Sequence, residues 1–182
     1  MKPLLTIIAI IIAATSYSQK SYKGTISISP DLLFANKHFI QRQYFGGTVE
    51  FLGNIKNTSL GLGGNISGFH SESVIKMTVG YLTARQSFPI GKFIPYAHGA
   101  IGYGQVKIDS EVSYENKGTY YHAGAGLRYK ALSFVEPFIS ARYSSYYNGK
   151  IWFMDDNGSY MREKTIRVAG AVVSVGVSFN LL

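Results

Sequence analysis

The sequence predicts an all-β fold: a closed antiparallel up-and-down transmembrane β-barrel of about eight strands, preceded by a cleaved signal peptide. Three observations point there. The first is strict alternation. Between Gly118 and Lys130, Thr119, Tyr121, Ala123, Ala125, Leu127 and Tyr129 hold the odd positions, and Tyr120, His122, Gly124, Gly126, Arg128 and Lys130 the even ones. A period of two belongs to a strand with two unlike faces, and a helical period would scramble it. The second is composition. Only 15% of the residues are charged, against about 25% in an ordinary soluble domain, so something other than solvated charge covers the exterior. The third is the N-terminus, where Lys2 precedes an apolar run from Leu4 to Ala14 and Ser16-Tyr17-Ser18 stands before Gln19. That is the layout of a secretory leader cut near Ser18. Its apolar run is shorter than the about 20 residues a membrane helix needs, and no later run reaches that length, so any span must be β.

The strands follow in order. Strand one, Lys23 to Phe34, sets Ile26, Ile28, Leu32 and Phe34 against Thr25, Ser27, Ser29 and Asp31, with Pro30 interrupting its ladder at an edge or bulge. Strand two, Tyr44 to Gly53, shows Phe45, Val49 and Phe51 against Thr48 and Glu50. Strand three, Ser59 to Phe69, is Gly-rich, and Leu60, Leu62 and Ile66 mark its face. Strand four, Val74 to Ala84, opposes Ile75, Met77, Val79 and Tyr81 to Lys76, Thr78 and Gly80. Strand five, Phe93 to Val106, carries Gly99, Gly102 and Gly104 and leaves its faces unassigned. Strand six is the segment from Gly118 to Lys130. Strand seven, Val135 to Tyr147, alternates Val135, Pro137, Ile139, Ala141 and Tyr143 with Glu136, Ser140, Arg142 and Ser144. Strand eight, Thr165 to Leu181, has Ala169, Ala171, Val173, Val175, Val177, Phe179 and Leu181 on its apolar face. Connections near Asn54 to Asn57 and Ala131 to Phe134 are short, whereas Lys107 to Lys117 and Asn148 to Lys164 are long and polar. Ala35 to Gln43 and Arg85 to Lys92 are of similar length to each other.

Length and charge narrow the reading. Residues 19–182 suit one domain after a signal peptide over 1–18. Without cysteine there are no disulfides, no thiolate metal sites and no acylated N-terminal Cys, which favours a bacterial envelope over a eukaryotic secreted context. Removing Lys2 with the leader takes the formal charge from +8 to +7. Export, and the lack of a Lys/Arg run or an aromatic RNA-binding motif, argue against nucleic acid; an anionic lipid surface is the better partner.

Alternation does not say which face is inside, but composition does. The polar faces are Gly, Ser, Thr and Tyr with isolated charges, which suits a cramped interior better than a solvated surface. An eight-strand barrel is just wide enough for side chains to fill it, so Asp31, Glu50 and Glu136 are expected to pair across the lumen with Lys76, Arg128, Lys130 and Arg142. In the hairpin around Ala131 to Val135, Lys130 falls opposite Glu136, and that pair is predicted. Tyr121, Leu127 and Tyr129 are then expected to meet lipid.

From here the chain resembles the small outer-membrane β-barrel proteins of the OmpA/OmpX type. The run HAGAGLRYKALSFVEPFISARY, His122 to Tyr143, looks like their Gly-rich strand, tight turn and following strand, and PYAHGAIGYG, Pro95 to Gly104, is similar. The ending SVGVSFNLL looks like their assembly signal, with Ser174 at the polar position, Gly176 at the glycine, and Phe179 and Leu181 at the late hydrophobic positions; it closes on Leu182 rather than an aromatic residue. The resemblance implies a monomeric integral barrel in the outer membrane of a Gram-negative bacterium, inserted by the barrel assembly machinery. It implies no reaction and no cofactor.

Other chemistry reads weakly. His38 and His70 fall in expected loops. His98 and His122 share parity on neighbouring strands, but a hairpin turning centrally within Lys107 to Lys117 offsets them by roughly five residues, about 15 Å, too far to share a metal. A turn at Asp109-Ser110 would bring them face to face. Gly124-Ala125-Gly126 and Gly61-Leu62-Gly63-Gly64 lack the following helix of a nucleotide loop, and Asp155-Asp156-Asn157-Gly158 lacks the remainder of a calcium loop. Tyr143, Tyr146, Tyr147, Trp152 and Phe153 cluster towards the last long connection; the first few of them read first as an interfacial aromatic belt, and the cluster reads second as a binding tip. The expected role is structural or surface contact, without enzymatic activity or an open pore, with Lys37, Arg42, Lys150, Arg162 and Lys164 facing lipid phosphates. Two alternatives stand beside it. One is a barrel enzyme modifying outer-leaflet lipid, for which no nucleophile, base and acid assemble from the sequence. The other is a soluble periplasmic lipocalin-like binder of an apolar ligand, which would turn Leu127, Val173 and Val175 inward.

Overall fold

The computed structural model describes residues 23–35, 43–68, 74–109, 114–154 and 160–181. The expected signal peptide, Lys37, His38, Arg42, His70 and residues 155–158 lie outside the described residues. Eight antiparallel strands run in chain order: β1 (Lys23–Ala35), β2 (Gln43–Ile55), β3 (Thr58–Gly68), β4 (Val74–Ser87), β5 (Phe93–Asp109), β6 (Tyr114–Tyr129), β7 (Val135–Met154) and β8 (Tyr160–Leu181). Each pairs with its neighbours, and β1 closes on β8 from Gly24↔Leu181 to Ala35↔Gly170, so no edge is left open. Pro30 has a partner in β2, Gly47, while the pairing of β1 with β8 skips Ser29 and Pro30. The missing N–H thus falls where the ladder is already interrupted.

Every second side chain points inward. From β1 through β8, Thr25, Thr48, Asn65, Thr83, His98, His122, Ser140 and Ser174 are buried, and each strand turns apolar side chains out, among them Ile28, Phe51, Leu62, Leu82, Ile101, Tyr121, Ile139 and Val175. On β5 the outward residues run from Phe93 to Tyr103 before Lys107 is reached. Ten residues cover roughly 33 Å of strand, or about 25 Å of height at the tilt of about 40° usual in barrels, which matches the apolar band of a transmembrane barrel. Leu127 is 38% exposed, Val173 37% and Val175 58%. All three point away from the lumen, opposite to what a soluble ligand-binding barrel requires.

The strands run longer than their sequence patterns indicate. β4 continues to Ser87, β5 to Asp109, β6 begins at Tyr114, and β7 and β8 extend to Met154 and from Tyr160. Much of the expected loop sequence is therefore hairpin. The turns at the other end are short. Lys56-Asn57 joins β2 to β3, with Lys56 in the left-handed region at φ 53°, and Gly91 takes φ 61° in the turn after β4. Both chain ends of the barrel lie on this turn side.

β4 is the one strand whose expected face is reversed. Met77, Val79 and Tyr81 are buried in the lumen, while Lys76 is exposed on the outside, opposite Lys107. The apolar residues of β4 form the loop-side part of the interior, where Met77, Val79, Tyr81, Val106, Tyr120 and Tyr146 make one cluster. Tyr146 thus belongs to the interior rather than to an aromatic belt, whereas Tyr143 and Tyr147 are exposed.

Candidate functional site: the filled lumen

Below the apolar cluster, three arginines and three carboxylates occupy the lumen, all buried. Arg142 of β7 reaches Asp31 of β1 at 2.7 Å, Arg85 of β4 reaches Glu50 of β2 at 2.7 Å, and Arg128 of β6 reaches Glu136 of β7 at 3.0 Å. The first two pairs join strands that are not neighbours, so they brace the barrel across its bore. Asp31 also accepts from the Thr48 hydroxyl, from Asn65 Nδ2 at 2.7 Å and from Ser29 Oγ at 3.2 Å. Arg142 donates a second bond to Ser174 Oγ at 3.1 Å, and Tyr81 donates its hydroxyl to Glu50 at 3.2 Å. Equal numbers of opposite charges, each hydrogen-bonded, are the condition under which ions persist in a low-dielectric interior.

Of the expected lumen residues, Asp31, Glu50, Glu136, Arg128 and Arg142 are buried in the bore, whereas two lysines lie outside it. Lys76 faces outward, as above. Lys130 lies one residue past the end of β6 and is exposed, so although β6–β7 register would place it opposite Glu136, that carboxylate turns inward to Arg128 instead. Arg128 also donates to Ser87 Oγ at 2.7 Å, and its forked guanidinium serves both acceptors at once, which a lysine at the rim does not. Arg85, which the sequence pattern places in a connection, is a lumen residue. Its signal is parity: it is in phase with Tyr81 and Thr83, and extending β4 by three residues brings it into the bore.

A column of rings links the ion pairs to the apolar cluster. The guanidiniums of Arg85 and Arg128 lie 4.6 and 5.6 Å from the Tyr96 ring centroid, contacts of a kind worth roughly 2 kcal/mol when desolvated. Tyr96 meets His98 at 5.6 Å, His98 meets His122 at 5.1 Å, and His122 meets Tyr81 at 5.1 Å. His98 pairs with Gly124 and His122 with Ala100, an offset of two residues, between the five of a centrally turned hairpin and the direct opposition of a turn at Asp109-Ser110. Diagonal neighbours at that offset are within reach of ring side chains. Tyr120 shares a 3.1 Å hydrogen bond with His122 Nδ1, and neither histidine bonds to a serine or a carboxylate among the described residues. The same residues include no group of three or more His, Asp or Glu placed to hold a metal.

Glycine makes room for these rings. A Cβ at Gly63 would lie 2.3 Å from the Tyr81 ring, and one at Gly126 would lie 2.4 Å from that of Tyr96. Gly63→Ala is therefore expected to destabilise the barrel by about 1–3 kcal/mol, because Tyr81 must leave its packing and its bond to Glu50. Urea unfolding in lipid measures the loss, and Tyr81→Leu in the same chain is expected to restore part of it. An unchanged midpoint for Gly63→Ala would show that the ring shifts freely.

Among the described residues of the bore, little space remains. A void of about 10 Å³ separates Asp31, Asn65 and Arg142 from Met77 and Tyr120, at the lower limit for one water. At the turn end a vestibule of about 290 Å³ opens between Lys56, Ser87, Arg128, Lys130 and Glu136. Within the expected assembly signal, Ser174 and Gly176 turn inward, a Cβ on Gly176 falling 2.7 Å from Phe138, while Phe179 and Leu181 are exposed on the apolar face. For Lys150, Trp152, Phe153, Arg162 and Lys164 only the backbone is described, in the extended β7–β8 hairpin.

No family model and no curated protein matches the chain in sequence. Solved structures do match in shape. Neisserial surface protein A superposes with a TM-score of 0.66 over 87% of this chain and 96% of its own, at 12% identity. The chain has the fold of the small outer-membrane β-barrels. The N-terminal barrel of Pseudomonas aeruginosa OprF gives 0.53 at 18% identity, covering 87% of this chain and 97% of that one. Outer membrane protein W of E. coli gives 0.57 at 11% identity, covering 90% and 100%. At such identities the likeness is one of fold.

Proposed function

We propose that the protein is a monomeric integral outer-membrane barrel with a structural or surface-contact role, its lumen filled by side chains and closed to ions, delivered by a signal peptide and inserted by the barrel assembly machinery. The observation that carries this reading is the inversion of polarity: apolar side chains outside on all eight strands, and three ion pairs with a ring column inside. The apolar cluster of Met77, Val79, Val106, Tyr120 and Tyr146 spans the loop-side half of the bore, and an apolar constriction resists wetting and ion passage. The role proposed for Lys37, Arg42, Lys150, Arg162 and Lys164, which belong in sequence to the loop-end connections and strand termini, is to supply cations to lipid phosphates. The protein is expected in the outer-membrane fraction with heat-modifiable gel migration, and without conductance steps in planar bilayers. Recovery as a soluble periplasmic protein, or steady conductance, would overturn the proposal.

A further inference from the structure

The two ends of the barrel differ in charge. Of ten acidic residues, Asp31, Glu50 and Glu136 face the lumen, and the other seven, at 72, 109, 111, 115, 155, 156 and 163, belong in sequence to the loop-end strand termini and connections. Among the described residues, the turn end carries no exposed acid. Each of its three turns instead bears one exposed lysine: Lys56, Lys92 and Lys130. Large apolar residues stand exposed beside them, Phe88, Ile90 and Phe93 around the second turn and Leu132 and Phe134 in the third.

These turns form one platform. The Lys130 N–H donates to the Lys92 carbonyl at 2.8 Å, the Ser87 N–H to the Asn57 carbonyl at 2.7 Å, and the Asn180 N–H to the Phe134 carbonyl at 2.9 Å. Phenylalanine and leucine in an aqueous turn leave apolar surface in water, whereas at a bilayer interface the same side chains are buried among headgroups and acyl chains, with lysine ammoniums reaching the phosphates. Lysine beside exposed apolar groups, with no competing acid, complements an anionic headgroup.

We infer that this rim binds the phosphates of anionic phospholipid in the turn-side leaflet; the inference rests on the reading of the chain as an integral barrel. Each lysine near an anionic surface contributes about fivefold in local association, screened by salt. The test compares the wild type, the triple variant K56Q/K92Q/K130Q and the loop-end pair K76Q/K117Q. All are folded into phosphatidylcholine bilayers holding spin-labelled phosphatidylglycerol or phosphatidylcholine. Heat-modifiable migration is confirmed for each sample first, so failure to insert is read separately from failure to select lipid. The wild type is expected to restrict phosphatidylglycerol in preference to phosphatidylcholine, the triple variant to show that preference reduced severalfold, the loop-end pair to behave as wild type, and 1 M salt to remove the preference. Equal restriction by the wild type, an undiminished preference in the triple variant, or its loss in the loop-end pair would overturn the inference. So would its loss on adding soluble glycerol phosphate at the same headgroup concentration, because the anion would then be taken by the vestibule between Lys56 and Lys130.

Discussion

Arg142→Met is expected to lower the unfolding free energy of the barrel by about 3–5 kcal/mol, the usual consequence of leaving one ion of a buried pair alone. Asp31 would retain the Thr48, Asn65 and Ser29 donors but lose the only cation bonded to it among the described residues. Met fills comparable volume, so the loss reports charge rather than a cavity. The double variant D31N/R142M is expected to recover most of the stability, since no net charge is then stranded in the bore. Reversible urea unfolding in lipid vesicles measures all three proteins. A single-variant loss under about 1 kcal/mol would mean that the pair is screened by water as a surface bridge is.

The same pair shows what the sequence alone made legible. Asp31 and Arg142 each sit in a clean period-two segment, and that periodicity placed both in the lumen without any knowledge of register. The outward positions of Leu127, Ile139 and Val175 followed in the same way. Alternation failed in β4 because both of its faces are mixed. Met77, Val79 and Tyr81 look lipid-facing until the interior is known to have an apolar half, while Thr78 and Gly80 look luminal although they lie outside. Lys76 consequently stands among the expected lumen cations where Arg85 belongs. The contact of His98 with His122 was illegible for another reason: it depends on where one hairpin turns, and strand periodicity carries no information about a loop's midpoint.

The lumen is best understood as a set of crossbraces. A closed barrel satisfies its backbone hydrogen bonds between neighbours, which fixes adjacency but not the roundness of the bore. Arg142–Asp31 and Arg85–Glu50 each skip a strand, and the ring column from Tyr96 to Tyr120 connects them to the apolar cluster. Inward glycines are part of the same solution, because Tyr81 and Tyr96 occupy the volume that side chains at positions 63 and 126 would take. Such bracing is the feature on which the proposed structural role rests.

Ile101→Arg is expected to cost about 1–2 kcal/mol in a lipid bilayer, between the about 2–4 kcal/mol of a cation at the midplane of a barrel's outer face and the about 0–1 kcal/mol near its interfaces. Ile101 is 65% exposed and lies outward between Leu82 and Tyr121, well below the cations Lys76 and Lys107 that mark the loop-side edge of the apolar band. In a soluble barrel the same substitution would place a charge at an exposed position and change stability by less than about 0.5 kcal/mol. The size of the loss therefore depends on the surrounding solvent rather than on local packing, because the new guanidinium points away from the bore and leaves its contacts untouched. Lys76→Ile is the companion measurement. If the band ends where the outward lysines begin, it is expected to leave stability in lipid nearly unchanged, whereas a gain comparable to the Ile101→Arg loss would place Lys76 within the hydrocarbon.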